Sequence, residues 1–408
     1  MPDNHSSISI EAIDLAAKRM QDAIRRTPIL RSQSFEKRVG SKFPIYFKVE
    51  SLQHTGSFKV RGALNKLLSL SEAERSRGVI TASAGNHAQG VAFHSQRLGI
   101  SAKIVMPIST PIVKTRATKQ LGAEIVLFGE SYQEAYEKAL DIQKQEGRVF
   151  VHGFDDELII IGQGTIGKEI LEDAPDVSVF VCPIGGGGLI SGCASYLKAK
   201  KPSMKVIGVQ AEGCSTLLPS LAAGKPVTLS AVNTMAEGIS AKRLGDLTFA
   251  ICKKLVDECL LVSDEEIAEG LLWLLENERL FVEGCGAVPV AAVFKKPQLV
   301  TGPTAILLSG GNLDVNFLAR MIERGLKKSG RLIRIEATIP DVPGSLFKLL
   351  QVFADQKASI VNVEHERIFG KTNLREVYTR TTLETQGPDH ATEIENALKR
   401  GGWTYALY

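Results

Sequence analysis

The chain has 408 residues, 44% of them hydrophobic and 23% charged, a balance typical of a globular protein with a sizeable core. The 49 basic and 45 acidic residues give a formal charge of +4 without long blocks of one sign, which argues against nucleic acid and membrane surfaces as partners. No apolar run approaches the roughly 18 residues of a membrane span, and the polar start at residues 1–7 lacks the order of a secretion signal. We therefore expect a soluble, cytoplasmic protein.

The first predicted elements lead to a lysine. Apolar residues follow a helical spacing from Ile8 to Ile24, and a β-like run from Phe43 to Val49 comes later. Polar and glycine-containing residues then lead to Lys59, which opens a second helical pattern. Positive potential at a helix N-terminus disfavours an ammonium there and lowers its pKa, as a Schiff-base lysine requires. From this stretch alone, a solvated lysine remains the better interpretation.

After Lys59, short β-rich runs alternate with helical patterns. The alternation predicts a parallel, doubly wound α/β sheet, in which ligands bind at the carboxyl ends of strands. The predicted strand–helix pairs are 78–82 with 86–98, 102–106 with 111–121, and 123–128 with 132–145, followed by strands at 177–182, 205–210, 260–262 and 304–308.

Three loops after these strands have unusual composition. The loop Ser83-Ala84-Gly85-Asn86-His87 opens a helix, so its free backbone N–H groups could hold a carboxylate. The loop at 183–189 contains Gly185, Gly186, Gly187 and Gly188, which suit a single phosphate better than a nucleotide. Ser309-Gly310-Gly311-Asn312 closes the last strand with a hydroxyl. Each glycine run alone is typical of a tight turn, but with Lys59 the loops form a constellation.

The pattern changes near a short polar hinge at 327–330. Beyond it, the predicted order is strand 331–338, helix 345–356, strands 360–368 and 374–383, helix 391–399 and strand 403–407. This β-α-β-β-α-β order predicts a ferredoxin-like α+β module. The module shows no evident nucleophile or metal cluster, which indicates binding or assembly. The six cysteines form no C-x-x-C pair, so we expect reduced thiols, mostly in the core.

These motifs, in this order, resemble the fold-type II pyridoxal-phosphate (PLP) enzymes, and within them the threonine dehydratases. The C-terminal module resembles an ACT domain, an amino-acid-sensing module. The resemblance covers essentially the whole chain and implies a PLP-dependent catalytic region at 1–326, with two α/β subdomains of which the smaller is about 52–150, and an ACT-like domain at 331–408. It rests on residues 57–63, 83–87, 185–188 and 309–312, supported by 27–28, 152–156, 162–165 and 236–238.

The resemblance implies a role for each motif. Lys59 would bind pyridoxal phosphate covalently and remove the substrate's α-proton. The implied cofactor contacts are Phe58 beside the ring, Asn86 at the 3′-oxygen, the glycines at 185–188 with Leu189 at the phosphate, Gly238, and Ser309 at the ring nitrogen. The substrate carboxylate would dock on Ser83, Ala84, Gly85, Asn86 and His87. A serine at the ring nitrogen leaves the ring largely neutral, which favours loss of a β-hydroxyl over transamination.

The implied activity converts L-threonine to 2-oxobutanoate and ammonia, and L-serine to pyruvate. Serine racemases resemble the chain but carry a second, proton-transferring serine at the position of Ala84, so racemisation is disfavoured. A serine or hydroxyaspartate dehydratase, a serine racemase on the same scaffold and a non-catalytic amino-acid sensor remain alternatives. Biosynthetic (isoleucine) and catabolic roles both stay open. Relatives bind a cation near Glu212, but the acidic set is incomplete here, so we expect no metal. Glu283 is interpreted first as a helix-start charge, although it could line the cofactor site.

An effector is expected at the ACT-like module. The turn before its first helix and one strand residue could hold an amino acid, expected to be isoleucine or valine, between paired modules of a homo-oligomer, a dimer or tetramer. The predicted effector residues are Val342, Pro343, Gly344, Ser345, Leu346 and Asn362.

Overall fold

The structure is a computed structural model that describes residues 8–313, 315–368 and 373–408. Residues 1–7, predicted not to be a secretion signal, lie outside this range. The chain divides into two compact units, Met1–Val315 and Asn316–Tyr408. Among the described residues, no helix combines the length and apolar character needed to cross a membrane.

The first unit alternates strands and helices. Its strands are β1 Ile29–Arg31, β2 Ile45–Val49, β3 Val79–Ala82, β4 Ala102–Met106, β5 Glu124–Leu127, β6 Val149–Phe150, β7 Val179–Pro183, β8 Lys205–Ala211, β9 Glu258–Val262 and β10 Thr304–Leu308. Its helices are α1 Ile10–Met20, α2 Gln33–Val39, α3 Lys59–Leu68, α4 Glu72–Arg77, α5 Asn86–Arg97, α6 Ile112–Gln120, α7 Tyr132–Glu146, α8 Glu157–Asp173, α9 Gly188–Lys200, α10 Leu217–Ala223, α11 Asp246–Leu255, α12 Asp264–Trp273 and α13 Gly284–Lys295.

Two sheets organise this unit. The larger has the order β1-β2-β10-β7-β8-β9, in which all neighbours are parallel except β1 and β2. The smaller is parallel throughout, with the order β5-β4-β3-β6. In the register of the larger sheet, Val49 lies opposite Leu308. The ends of β2 and β10 are therefore neighbours, and the segments that follow them, towards Lys59 and Ser309, begin side by side.

The second unit is an antiparallel sheet with helices. After α14 Val315–Lys328, which begins at the boundary between the units, come β11 Leu332–Pro340, α15 Ser345–Asp355, β12 Ser359–Glu366, β13 Glu376–Glu384, α16 Pro388–Arg400 and β14 Thr404–Leu407. The sheet order is β12-β13-β11-β14. Alternate residues of β11 and β13 are buried and pack with apolar residues of both helices, as period-2 alternation predicts.

The predicted α/β region and the ferredoxin-like α+β module are confirmed. Among the strands, the predictions missed β1 and β6, because strands of two or three residues carry too little alternation to be recognised. The 17-residue α8 was not predicted as a separate element either. The antiparallel pairing of β1 was also not anticipated. The predicted hinge at 327–330 covers the end of α14 and the turn after it, and a domain boundary there stays a prediction.

Candidate active site

Lys59 is the first residue of α3. The helix buries an apolar face of Val60, Ala63, Leu64 and Leu67, which fixes its position in the core. The half-buried Lys59 amine donates a hydrogen bond of 2.7 Å to the carbonyl oxygen of Gly153 and lies 5.3 Å from the centre of the Phe58 ring. Burial lowers the pKa of the Lys59 amine to about 8, against the opposing charges of Cys285 and Glu283. The side chain is therefore close to the balance between ammonium and neutral amine that nucleophilic and base chemistry requires.

The loop between β7 and α9 contains the four glycines. Gly187 has φ +94 and precedes the first residue of α9, so a side chain there would be strained. A Cβ at Gly186 would lie 2.4 Å from the Phe154 ring, and a Cβ at Gly185 would lie 2.9 Å from the backbone of Ile239. The sequence therefore has glycine here because other parts of the chain approach the loop backbone closely.

The loop and the lysine share one cavity. Its lining includes Phe58, Lys59, Gly153, Phe154, the glycines 185–188, Leu189 and Gly238. At the N-terminus of the 13-residue α9, the first backbone N–H groups have no acceptor within the helix. A helix start whose glycine backbone lines a cavity is a suitable site for a phosphate. The residues present therefore fit the phosphate of PLP at α9 and its aldehyde at Lys59.

The predicted substrate loop lies between β3 and α5. Ser83 Oγ accepts a hydrogen bond of 3.3 Å from the backbone N–H of Gly85, and Ala84 packs on the core of the smaller sheet. Asn86 is the first residue of α5, and Gly85 precedes it. The 12-residue helix thus directs its free N–H groups and positive end at this loop, as a carboxylate site requires.

His87 contributes differently from the other loop residues. Its ring is buried, and Nε2 lies 3.0 Å from the carbonyl oxygen of Val151. Burial lowers the pKa of His87 to about 3, so the ring is neutral at pH 7. Its Nδ1 and the hydroxyl of Thr81 are buried without a hydrogen-bond partner among the described residues. The imidazole therefore supplies no positive charge for a carboxylate. The backbone N–H of His87, at the start of the helix, is the better candidate for a carboxylate donor.

Ser309 follows β10 and lies beside the lysine segment. Its carbonyl oxygen accepts a hydrogen bond of 3.2 Å from the N–H of Phe58, and Ser57 forms an antiparallel bridge with Gly310. Ser309 is 2% exposed, and its hydroxyl lies 3.7 Å from the sulfur of Cys285. The backbone contacts fix the serine relative to Lys59, as the predicted pairing of the two around a cofactor ring requires.

Sequence reasoning missed a buried ionic cluster beneath this site. Arg61, two residues after Lys59, donates to both oxygens of Glu50 and both of Glu169, at 2.6–2.9 Å. Lys48 donates to Glu169 at 2.6 Å. Although burial opposes it, the charges of the two carboxylates raise the pKa of Arg61 above its usual value. No local pattern could reveal the cluster, because Lys48 and Glu169 are 121 residues apart.

The predicted effector residues do not meet within one copy. The turn Val342–Gly344 follows Pro340, which lies opposite Glu376 of β13. Asn362 lies on β12 opposite Thr382, and Thr382 lies opposite Arg334 on its other side. Arg334 and Pro340 are six positions apart in β11, which corresponds to about 20 Å along a strand. Gly344, with φ +89, precedes α15, whose first two residues are Ser345 and Leu346.

Glu212, considered as a cation ligand, accepts a hydrogen bond of 3.3 Å from the amine of Lys295. That amine also donates to Glu266 and to the carbonyl oxygen of Leu261, at 3.0 and 3.1 Å. Within residues 8–313, 315–368 and 373–408, no group of three or more histidine, cysteine, aspartate and glutamate side chains is suitably placed for a metal. The expectation that the chain binds no metal stays a prediction.

Comparison with known families gives two matches. Residues 20–310 match the model described as "Pyridoxal-phosphate dependent enzyme", and residues 333–400 match the model described as "ACT domain".

Individual relatives cover most of the chain. An L-threonine ammonia-lyase of Thermotoga maritima is 46% identical over 97% of this chain and 98% of its own length. A second L-threonine ammonia-lyase, from Geobacter sulfurreducens, is 43% identical over 96% of this chain and 97% of its own. Among solved structures, the processed form of threonine deaminase isoform 2 from Solanum lycopersicum (TM-score 0.73, 36% identity) covers 78% of this chain and 95% of its own. The maize serine racemase (TM-score 0.73, 34% identity) covers 79% of this chain and 98% of its own.

Proposed function

The chain belongs to the pyridoxal-phosphate dependent enzymes, with an ACT domain at its C-terminal end, and we propose that it is an L-threonine ammonia-lyase. It converts L-threonine to 2-oxobutanoate and ammonia, and L-serine to pyruvate and ammonia. The observation that carries this proposal is the shared cavity, in which the Lys59 amine and the glycine loop before α9 line one space. The full-length ammonia-lyase relatives support the choice of substrate.

Each part of the proposed active site, which extends beyond the cavity lining to the start of α5 and to Ser309, has a chemical task. When bound, PLP supplies an electron-withdrawing ring that makes the α-proton of an amino acid removable. Lys59 accepts this proton as a neutral amine, which its lowered pKa makes accessible near neutral pH. The N-terminus of α9 would hold the phosphate, and the N-terminus of α5 would hold the substrate carboxylate. Ser309 would offer a neutral hydroxyl, rather than a carboxylate, to the ring nitrogen, which would favour loss of the β-hydroxyl.

The ACT domain is proposed to bind an amino-acid effector, isoleucine or valine, between two copies of the chain. Within one copy, about 20 Å of strand separates the turn at 342–346 from the level of Asn362, so a site that uses both needs a second copy. β12 is an edge strand, and its Val361 is 56% exposed. Antiparallel pairing of two β12 edges would bring Asn362 of one copy towards the turn of the other. The chain is therefore proposed to work as a homo-oligomer, a dimer or tetramer.

Two measurements test the enzymatic proposal. The purified protein should absorb near about 410 nm, as a cofactor bound to lysine does. It should release keto acid from L-threonine and from L-serine but not from D-serine. A protein that carries the absorbance but releases no keto acid would contradict the lyase assignment. A protein without the absorbance after incubation with PLP would support the alternative of a non-catalytic sensor.

A further inference from the structure

Glu283 joins two side chains that come from distant parts of the chain. Its Oε1 accepts a hydrogen bond of 2.6 Å from the amide Nδ2 of Asn86 and one of 2.9 Å from the thiol of Cys285. Glu283 is 8% exposed and Cys285 is 3% exposed. Asn86 and Glu283 are 197 positions apart, so the fold alone brings them together. A buried carboxylate with two donors on one oxygen is a fixed part of the site rather than a solvated helix-start charge.

The sulfur of Cys285 also contacts Ser309. The Ser309 hydroxyl donates to the sulfur of Cys285 at 3.7 Å, a distance typical of a weak hydrogen bond to sulfur. Two glycines leave room for the side chains of Glu283 and Cys285. A Cβ at Gly310 would lie 2.3 Å from Oε1 of Glu283, and a Cβ at Gly238 would lie 2.7 Å from the Cys285 sulfur. The chain therefore keeps both positions free of side chains where the Glu283–Cys285 pair passes.

We propose that Glu283 and Cys285 are positioning residues that connect Asn86 at one side of the cofactor ring to Ser309 at the other. The proposal rests on the function proposed above, since it assigns Asn86 to the 3′-oxygen and Ser309 to the ring nitrogen. We call the series of contacts Asn86–Glu283–Cys285–Ser309 the line. Through it, the orientation of Asn86 towards the cofactor depends on the orientation of Ser309, and the reverse.

The directions of the hydrogen bonds determine what the line does. The carboxylate of Glu283 accepts from Nδ2 of Asn86, which fixes the end of the amide that faces Glu283 and leaves the second Nδ2 hydrogen for the cofactor. The Cys285 thiol uses its one hydrogen on Glu283, so its sulfur can offer Ser309 only a weak acceptor. Burial raises the pKa of the Cys285 thiol, which keeps that hydrogen in place. The single Ser309 proton is therefore held only weakly by the sulfur, and it can turn to an unprotonated ring nitrogen when PLP binds, at the cost of its hydrogen bond to Cys285.

The test is a double-mutant cycle on the affinity of the full-length apoenzyme for PLP, measured by fluorescence titration. Glu283→Gln keeps the shape of the side chain but removes its charge and turns one of its two oxygens into an NH2 group. This change should weaken PLP binding about tenfold. In a protein that already carries Ser309→Ala, the loss of PLP affinity caused by Glu283→Gln should be at least about threefold smaller, because the chain of contacts is already broken at Ser309. In proteins that also carry Cys285→Ala, the effects of Glu283→Gln and Ser309→Ala on PLP affinity should simply multiply, because Cys285 no longer connects the two residues.

Cys259→Ala is the control, because Cys259 is a half-buried thiol on β9 that does not line the cavity. It should leave both the affinity and the coupling unchanged. Multiplicative effects of Glu283→Gln and Ser309→Ala with Cys285 present would overturn the proposal. Melting temperatures of the apoenzymes separate a loss of fold from a loss of positioning. If the unchanged chain binds no PLP, the proposed function fails, an outcome distinct from failure of the coupling.

Discussion

Arg61 donates two hydrogen bonds to the carboxylate of Glu50, 2.9 Å from Nε and 2.8 Å from Nη2, and both side chains are almost completely buried. Removing one partner of a buried ion pair leaves a charge without compensation. Arg61→Met should therefore lower the free energy of unfolding by about 3–5 kcal/mol in denaturant titrations. Arg31→Met, which breaks the ion pair between the exposed Arg31 and Glu36, should lower the free energy of unfolding far less. Equal losses in the two variants would contradict the structural role of the cluster.

Lys59→Ala should abolish turnover and the visible absorbance of the holoenzyme while leaving the circular dichroism unchanged, because we propose the amine as both the cofactor attachment and the base. Lys66→Ala is a matched control in the same helix, since Lys66 pairs with Asp156 and does not line the cavity. That control should keep the absorbance and turn over threonine within about threefold of the unchanged enzyme. Normal turnover by Lys59→Ala would refute the assignment.

The rate at which the apoenzyme takes up PLP should depend on pH through Lys59. Only the neutral amine attacks the aldehyde, and burial lowers the pKa of this amine to about 8. The rate should therefore rise about tenfold per pH unit below pH 8 and level off above it. The same reaction with free N-acetyl-lysine should keep rising towards pH 10. A rate for the protein that continues to climb above pH 9 would show that the Lys59 pKa is not lowered.

Racemisation of serine should be negligible, because Ala84 cannot carry a proton. Ala84→Ser should increase D-serine formation from L-serine, measured by chiral chromatography, and leave keto acid release within about tenfold. Ala84→Gly is the matched control, since it changes the same position without adding a hydroxyl. Rapid D-serine formation by the unchanged enzyme, or equal gains in both variants, would contradict this account.

Effector binding should depend on Asn362. Asn362→Ala should weaken isoleucine or valine binding at least tenfold by calorimetry and remove the effect of the amino acid on threonine turnover. Gln351→Ala is a control on an exposed face of α15, where Gln351 contacts Asp355. Coupling between two ligands is reciprocal. If the effector changes the affinity of the enzyme for threonine by some factor, threonine should therefore change the affinity for the effector by the same factor. A chain lacking 331–408 that still responds to the amino acid would place the site elsewhere.

Local patterns predicted the elements on which the site is built. The helix that begins at Lys59, the loop at 83–87 before α5 and the glycine loop before α9 were all placed correctly relative to their strands. These features are encoded by adjacent residues, through the period of apolar positions and the glycines that a close approach or a positive φ requires. The distances between the loops were inferable only from the rule that carboxyl ends of parallel strands share one edge.

Contacts between distant residues were not predictable. Glu283 was interpreted mainly as a helix-start charge, because nothing near it in the sequence shows that Asn86 lies 2.6 Å away. Arg61 was similarly treated as part of a motif, although it holds two buried carboxylates. A lysine at position 48, within an otherwise apolar strand, hints that a charged group is buried there, but it does not reveal which carboxylates are its partners.

The pairing of β2 with β10 has a consequence for tolerance to insertions. Lys59 and Ser309 take their relative positions from strand register, in which Val49 lies opposite Leu308, and not from the roughly 250 residues of chain between them. Lengthening an exposed loop in that interval should leave the lysine and the serine where they are. One residue inserted within β10 would instead displace the serine by about 3.3 Å and turn alternate side chains to the wrong face. The spacing that chemistry needs is thus set by backbone hydrogen bonds of two adjacent strands.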